Sequence, residues 1–256
     1  MQYLGGKSRI AKPISEIINR FSKDKIFVSP FCGSCAVESR VVAKKKYIGD
    51  SHKYLIAMFK AIQDGWEIPD IVSKEQYDHV KINKDENPAL TGFAGFACSF
   101  GGKWFGGYAR SKSEPDKNYA RYSKNSLLRK MVGLQDTVFF NTEYDKIQDY
   151  VLKNSVVYCD PPYENTTKYS NSKEFDHEYF WNWVRTYSAN SLIFVSEYNA
   201  PKDFVEIWNK SQVVKMDARN KDKIFSNIDR LFVHESNYDK IRIWLENWWK
   251  KLKKKF

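Results

Sequence analysis

Cysteine is scarce in this chain, and the few present form no framework. Four cysteines in 256 residues, Cys32, Cys35, Cys98 and Cys159, are too few to staple a fold of this length with disulfides. Histidine is equally thin, and His52, His79, His177 and His234 fall at no metal-ligand spacing. The one Cys-x-x-C, Cys32 to Cys35, has no second Cys/His pair at zinc spacing to complete a site, so no metal is implied. No apolar run approaches the length of a membrane span, and the opening "MQYLGGKSRI" lacks the apolar segment of a secretory signal. A cytoplasmic protein is therefore expected. Neither a Pro/Gly/Ser-rich linker nor an internal repeat divides the chain. Residues 1–256 are read as a single domain, long enough to bury a full α/β core.

Positive charge and aromatic rings are plentiful. Lys and Arg number 42 against 31 Asp and Glu, a formal net charge of +11, and aromatics make up 16% of residues. Such a surface attracts polyanions, of which nucleic acid is the commonest. Lysine-rich compositional bias is the plain alternative.

Hydrophobic periodicity predicts alternating elements. Ile10, Ile14, Ile17, Ile18 and Phe21 share one helical face. "KIFV" reads as a short buried strand ending at Pro30, followed by a loop over 30–34 and a helix from about Cys35 to Lys44. "KKYIGD" is a second strand, and Ser51 is placed to cap a helix striped with Tyr54, Leu55, Met58, Phe59 and Ile62. Residues 65–100 read as mostly helical, while 101–125 read as an irregular insertion. "TVFFNTEY", "NSVVYCD" and "SLIFVSEY" are further strands, the last preceded by a helix with Tyr179, Phe180, Trp183, Val184 and Tyr187. "QVVKM" and "RLFVHES" suggest a terminal antiparallel pair, and Trp244, Trp248 and Leu252 a final helix. Strands alternating with helices predict an α/β fold with a mostly parallel sheet, whose ligands bind at the strands' carboxyl ends.

Three constellations carry chemistry. Asp160-Pro161-Pro162-Tyr163 follows an apolar strand directly. Two prolines fix φ twice and remove two backbone donors, so the turn presents carbonyl oxygens, with a carboxylate and a flat ring beside them. A planar base with an exocyclic amine fits such a group, its N–H bonds accepted by the carboxylate and a carbonyl while the ring stacks on Tyr163. A capped strand end with a buried tyrosine is the simpler reading. Next, a strand, the turn around Phe31 and Gly33, and Asp50 ending the following strand form the layout that binds a nucleoside. Asp50 lies 17 positions after Gly33, near the usual separation of about 20; it equally suits a helix cap. Finally, "YLGGKS" exposes backbone before Lys7, a point charge suited to a carboxylate. Without a preceding strand and the first glycine of the phosphate-loop pattern, it is not a phosphate loop.

In their joint order, "YLGGKS", "FVSPFCGSCAVES", "YIGD" and "VVYCDPPY" resemble the Dam-type DNA adenine-N6 methyltransferases, over roughly residues 1–236. The resemblance implies a Rossmann-like methyltransferase fold with S-adenosylmethionine as cofactor. It implies that Tyr3, Lys7, Phe31, Gly33, Asp50 and Tyr144 bind that cofactor, Asp50 through its ribose and Tyr144 against its adenine. Asp160, Pro161, Pro162 and Tyr163 match the catalytic tetrapeptide, where Asp rather than Ser or Asn favours adenine. The small target-recognition region falls in the insertion within 65–135. There Lys103, Trp104, Tyr108, Arg110, Lys112 and Arg121 are candidate DNA contacts, joined by Lys168 and Tyr169 after the tetrapeptide. Solvated cations with rings anchoring the loop to the domain would give the same composition. The sequence departs from the family at Ser29, where an acid is frequent, and at Cys35, where glycine or another small residue is usual. The implied partner is double-stranded DNA, the implied reaction methyl transfer to a flipped adenine, and a monomer is expected. An RNA adenine methyltransferase and a non-catalytic cofactor- or DNA-binding relative are the alternatives.

Overall fold

The computed structural model describes residues 1–111, 113–114, 116–164, 175–215 and 224–253. In chain order the elements are α1 Ala11–Ser22, β1 Ile26–Ser29, β2 Lys45–Asp50, α2 Lys53–Gln63, α3 Lys74–Ile82, α4 Pro88–Gly92, α5 Tyr119–Met131, β3 Thr137–Asn141, α6 Asp149–Leu152, β4 Val156–Cys159, α7 His177–Ser188, β5 Leu192–Glu197, β6 Phe204–Lys215, β7 Ile224–His234 and α8 Glu235–Lys253. Seven strands form one sheet in the order β3-β2-β1-β4-β5-β7-β6. The pairs β2–β3, β1–β4 and β4–β5 are parallel, while β5–β7 and β6–β7 are antiparallel. The expected fold class is thus observed: an α/β fold with a mostly parallel sheet and an antiparallel edge. Among the described residues no helix is long and apolar enough to cross a membrane.

The chain divides into two compact units, Met1–Asp24 with Ser29–Ile147, and Lys25–Val28 with Gln148–Phe256. In the first unit, the face of α1 buries Ile14, Ile17 and Ile18 as the periodicity predicts. Everything between the paired strands β2 and β3 is one long crossover, which contains the 65–135 stretch. Its core includes Leu55, Met58 and Phe59 of α2, and the Phe59 ring stacks on Phe139 of β3 at 5.4 Å and 7°. Val138 between buried neighbours is exposed, the alternation of a strand with one covered face. Ser73 and Gln76 close a capping box on α3. Asn87 caps α4, which runs on into a π-helical turn at Phe93–Ala97.

Three local expectations give way to other structure. Residues 35–44 hold a single 3₁₀ turn, Glu38–Arg40, rather than a helix. Cys35 takes φ = 52°, incompatible with a helical start, and the β-branched pair Val41-Val42 then leads into β2. His52, not Ser51, caps α2, its Nδ1 accepting the Leu55 N–H at 3.4 Å. The irregular stretch ends early: Asn118 caps α5, so residues 119–125 are helical.

In the second unit β4 is buried at all four positions, the near-continuous apolar pattern of a strand covered on both faces. Phe180, Trp183 and Val184 of α7 are buried as expected, Trp181 joins them, and Tyr179 faces solvent. The terminal antiparallel pair is longer than its sequence cores suggest, spanning Phe204–Lys215 and Ile224–His234. Trp244, Trp248 and Leu252 all lie on α8.

Candidate functional site

The first unit gathers the nucleoside-type residues around the carboxyl end of β2. Gly33, at φ = 44°, donates its N–H to Asp50 Oδ2 at 3.1 Å, and His52 donates its N–H to Asp50 Oδ1 at 3.0 Å. Each carboxylate oxygen keeps a second lone pair for a hydroxyl donor. Asp50 therefore both braces the turn and caps the start of α2; the two sequence readings describe one carboxylate. Burial pushes its pKa up to about 6, opposed by the His52 and Gly33 hydrogen bonds and reinforced by Glu143. The turn itself closes through Cys32 N–H to Gly49 O at 2.9 Å and Cys35 N–H to Cys32 O at 2.7 Å. A Cβ at position 33 would lie 3.0 Å from the Tyr3 ring, so glycine serves both the left-handed backbone and the close approach.

The other expected cofactor residues lie in the same unit. Tyr3 packs on Phe96 at 5.1 Å, and the rings of Phe31 and Tyr144 meet at 5.4 Å and 34°. Lys7 is buried and donates to the Gly5 carbonyl at 3.2 Å. A half-buried carboxylate with open lone pairs, a left-handed glycine turn and a pair of rings form a set that fits the ribose and adenine of S-adenosylmethionine.

Cys32 and Cys35 are buried free thiols, and burial pushes both up. They lie at the two ends of this turn, and among the described residues no group of three or more His, Cys, Asp or Glu is placed to hold a metal ion. At Ser29, where the family often has an acid, the hydroxyl donates to Glu38 Oε1 at 2.8 Å with both residues buried. A carboxylate thus stands beside position 29 after all, supplied from nine residues downstream. Its one sequence signal is a lone acid in the otherwise small and apolar "CAVES". His52, which the sequence marks only as falling at no metal-ligand spacing, has its ring 4.2 Å from that of Trp104 and 4.8 Å from that of Phe96, and burial pushes its pKa down to about 4. It is neutral at pH 7.

The second unit carries Asp160 to Tyr163 at the end of β4. Pro161 is buried, Pro162 exposed, and Asp160 and Tyr163 half-buried. The Tyr163 ring meets Tyr198 edge-on at 4.6 Å and 82°. Burial raises the Tyr163 hydroxyl well above the usual range, with Asp160, Tyr158, Asp229 and Glu197 adding to it. Below the turn, Tyr158 and Ser196 share a hydrogen bond of 2.9 Å across β4 and β5. Glu197, 2% exposed, accepts the Tyr198 N–H at 2.8 Å. Tyr198 and Glu197 belong to "SLIFVSEY", which reads only as a strand.

The candidate DNA contacts divide by burial. Trp104 stacks on Tyr54 at 5.7 Å and 15°, and the Tyr108 hydroxyl donates to Val72 O at 2.6 Å; both rings pack on the unit's core. Lys103 is half-buried, while Arg110 and Arg121 are exposed. Arg121 and Lys124 approach Asp70 at 3.8 and 3.3 Å. Phe100 and Tyr122, 71% and 65% exposed, present large rings to solvent. Lys112, Lys168 and Tyr169 lie outside the described residues.

No curated protein matches the chain. Among solved structures, the rRNA methyltransferase aviRa from Streptomyces viridochromogenes is similar at 11% identity and TM-score 0.41, covering 90% of this chain and 85% of its own. An rRNA methylase from Streptococcus thermophilus is similar at 7% identity and TM-score 0.40, covering 87% and 94%. A putative RNA methyltransferase from Pyrococcus horikoshii is similar at 9% identity and TM-score 0.37, covering 87% and 84%. Residues 3–88 match the family model for D12 class N6 adenine-specific DNA methyltransferase, a segment that contains Tyr3, Lys7, Phe31, Gly33 and Asp50. Over that segment the chain is similar to the D12 class of N6 adenine-specific DNA methyltransferases.

Proposed function

We propose that the chain methylates the N6 amino group of adenine in duplex DNA, with the base turned out of the helix and S-adenosylmethionine as donor. When bound, the donor supplies a methyl carbon activated by its sulfonium. Asp50 holds the ribose hydroxyls on its open lone pairs, the Phe31 and Tyr144 rings hold the adenine, and Lys7 holds the carboxylate. Asp160 and the Pro161 carbonyl each accept one N6–H bond. This turns the nitrogen lone pair out of the ring's conjugation and makes it the nucleophile, and Asp160 lies at the proton that N6 must shed. Tyr163 supplies the stacking face, and its edge-on contact with Tyr198 fixes the ring plane. Rate enhancement comes from positioning and electrostatics, with no covalent enzyme adduct. Arg110 and Arg121 meet phosphates.

The observation that carries this reading is the Asp160-Pro161-Pro162-Tyr163 turn at the end of a fully buried strand, in a chain whose residues 3–88 match an adenine-specific family. Transfer of a labelled methyl group to duplex DNA and to RNA of matched sequence tests it. N6-methyladenine should form in the duplex and vanish in Asp160→Ala while cofactor binding persists. Label on RNA alone, or no transfer to any duplex, overturns the reading.

A further inference from the structure

Helix α5 joins two regions that the sequence treats separately. Its N-terminal half presents Arg121, Tyr122 and Lys124, and its last turn carries Lys130. Nine residues separate Arg121 from Lys130, about 13 Å along the helix. Lys130 Nζ donates to the Ser34 carbonyl at 2.5 Å. That carbonyl lies inside the cofactor turn, between Gly33, whose N–H goes to Asp50, and Cys35, held at φ = 52°.

Two further contacts fasten the same end of α5 to the same segment. Just past the helix, a Cβ at Gly133 would lie 2.0 Å from the Ser39 carbonyl, so backbone meets backbone there and only glycine fits. Lys46 Nζ donates to Gly133 O at 2.6 Å and to Glu38 O at 3.4 Å. A separate strap ties the recognition stretch to the N-terminal motif through Leu4 N–H to Gly102 O at 3.2 Å. Burial lowers the Lys130 pKa, an effect that Cys35 and Glu38 oppose and Arg40 reinforces.

We propose that Lys130 is a positioning residue for the cofactor turn, and that through it α5 couples duplex binding at its N-terminal half to cofactor binding at its C-terminal end. A helix of 13 residues moves as a stiff body, so phosphates that draw Arg121 and Lys124 away from Asp70 bias the position of the Lys130 ammonium. The Ser34 carbonyl follows, and with it the Gly33 N–H that orients Asp50. Coupling of this kind is reciprocal: a duplex that tightens cofactor binding is itself bound more tightly when cofactor is present. The inference rests on the methyltransferase reading above.

The test is calorimetric titration of S-adenosylmethionine into the full chain, alone and saturated with a DNA duplex, for wild type, Lys130→Met, Lys130→Gln and Lys130→Arg. Wild type should bind the cofactor at least about 5-fold more tightly with duplex present. Lys130→Met should bind it about 10-fold more weakly and lose the duplex enhancement. Lys130→Gln, polar but too short to reach Ser34, should behave alike and serves should the Met variant not fold. Lys130→Arg, which keeps charge and donors, should restore most of the enhancement; a merely space-filling role would favour Met over Arg. Amide exchange at Gly33 and Cys35 should quicken in the Met and Gln variants. A folded Met or Gln variant with wild-type affinity and wild-type enhancement overturns this inference alone. A wild type that binds no S-adenosylmethionine in either state overturns the methyltransferase reading and this inference with it.

Discussion

Cofactor affinity should depend on pH with a midpoint near 6, because of Asp50. Its carboxyl, on a half-buried residue at the end of β2, is pushed up by desolvation from 3.8 to about 6. Ribose hydroxyls donate to the ionised form, so only that form holds the cofactor well. One pH unit below the midpoint about one-tenth of the carboxyls are ionised, and the apparent Kd is about 11-fold weaker than at high pH. Above pH 7.5 the curve should be flat. Folding stability runs the other way. The folded value lies above the ordinary one, so the fold disfavours the charge. Asp50 therefore costs nothing below pH 3.8 and costs progressively more as pH rises toward 6, levelling off above it. The interval from 3.8 to about 6 corresponds to about 3 kcal/mol, an upper figure, at about 1.4 kcal/mol per pH unit. His52, at about 4, is largely neutral from pH 5 upward, the range of the affinity measurement. The Met1 amino group, pushed down to about 5 first by burial and then by Lys130 and Arg129, titrates nearby, so Asp50→Asn is the necessary control. Calorimetric titration from pH 5 to 8 and denaturant melts over the same range measure both slopes. The wild-type and Asp50→Asn stabilities should diverge with pH, and only the wild type should show the affinity midpoint. A wild-type Kd that is flat from pH 5 to 8, or an Asp50→Asn variant that keeps the midpoint, refutes the argument.

Ser29→Ala should destabilise the chain by about 1–3 kcal/mol, because it removes a hydroxyl donor from the buried Glu38 carboxylate. Denaturant melts measure this, and Ser29→Glu should fare worse, placing two carboxylates in one buried spot; an unchanged midpoint in Ser29→Ala would show that the hydrogen bond is not structural. Phe100→Ala should leave stability within about 0.5 kcal/mol of wild type, since the ring is 71% exposed. It should weaken duplex binding about 10-fold if the ring stacks on a base, with cofactor affinity unaltered, and equal duplex affinity by fluorescence anisotropy would remove Phe100 from the interface.

The strands were readable because each answers to a local pattern. "VVYC" and "LIFVSE" are runs whose side chains have nowhere to go but inward, and the structure buries them. The carboxyl-end position of Asp160 follows from "VVYC", and that of Asp50 from the separate strand "KKYIGD". The segment 35–44 misled for an equally local reason. Ala36, Val37 and Glu38 suit a helix, but the chain must first reverse at Gly33 and Cys35, both at positive φ. That conformation is imposed by hydrogen bonds that the Cys32 and Gly33 N–H groups donate to Gly49 O and Asp50 Oδ2, acceptors on a different strand. The cap at His52 was overlooked because histidine is a poor cap by propensity; its ring is set by Trp104 and Phe96, some fifty residues away.

The aromatic and basic stretch shows where composition stops being informative. Trp104, Phe105 and Tyr108 alternate with cations as readily as Phe100, Tyr119 and Tyr122 do, and no periodicity separates the two groups. What separates them is tertiary. A ring that ends beside Tyr54, His52 or Tyr77 has its faces taken by protein, whereas Phe100, next to a glycine pair and held by Gly107 O at 2.8 Å, points its ring outward. The anchors are nonetheless part of the function proposed here. They fix the backbone from which Phe100 and Arg110 project, and through His52 they reach the N–H that Asp50 accepts. A recognition loop held this way loses little conformational freedom when a duplex arrives, and that saved entropy favours affinity. The same rigidity serves coupling through α5, since a slack loop would absorb any displacement before it reached Ser34.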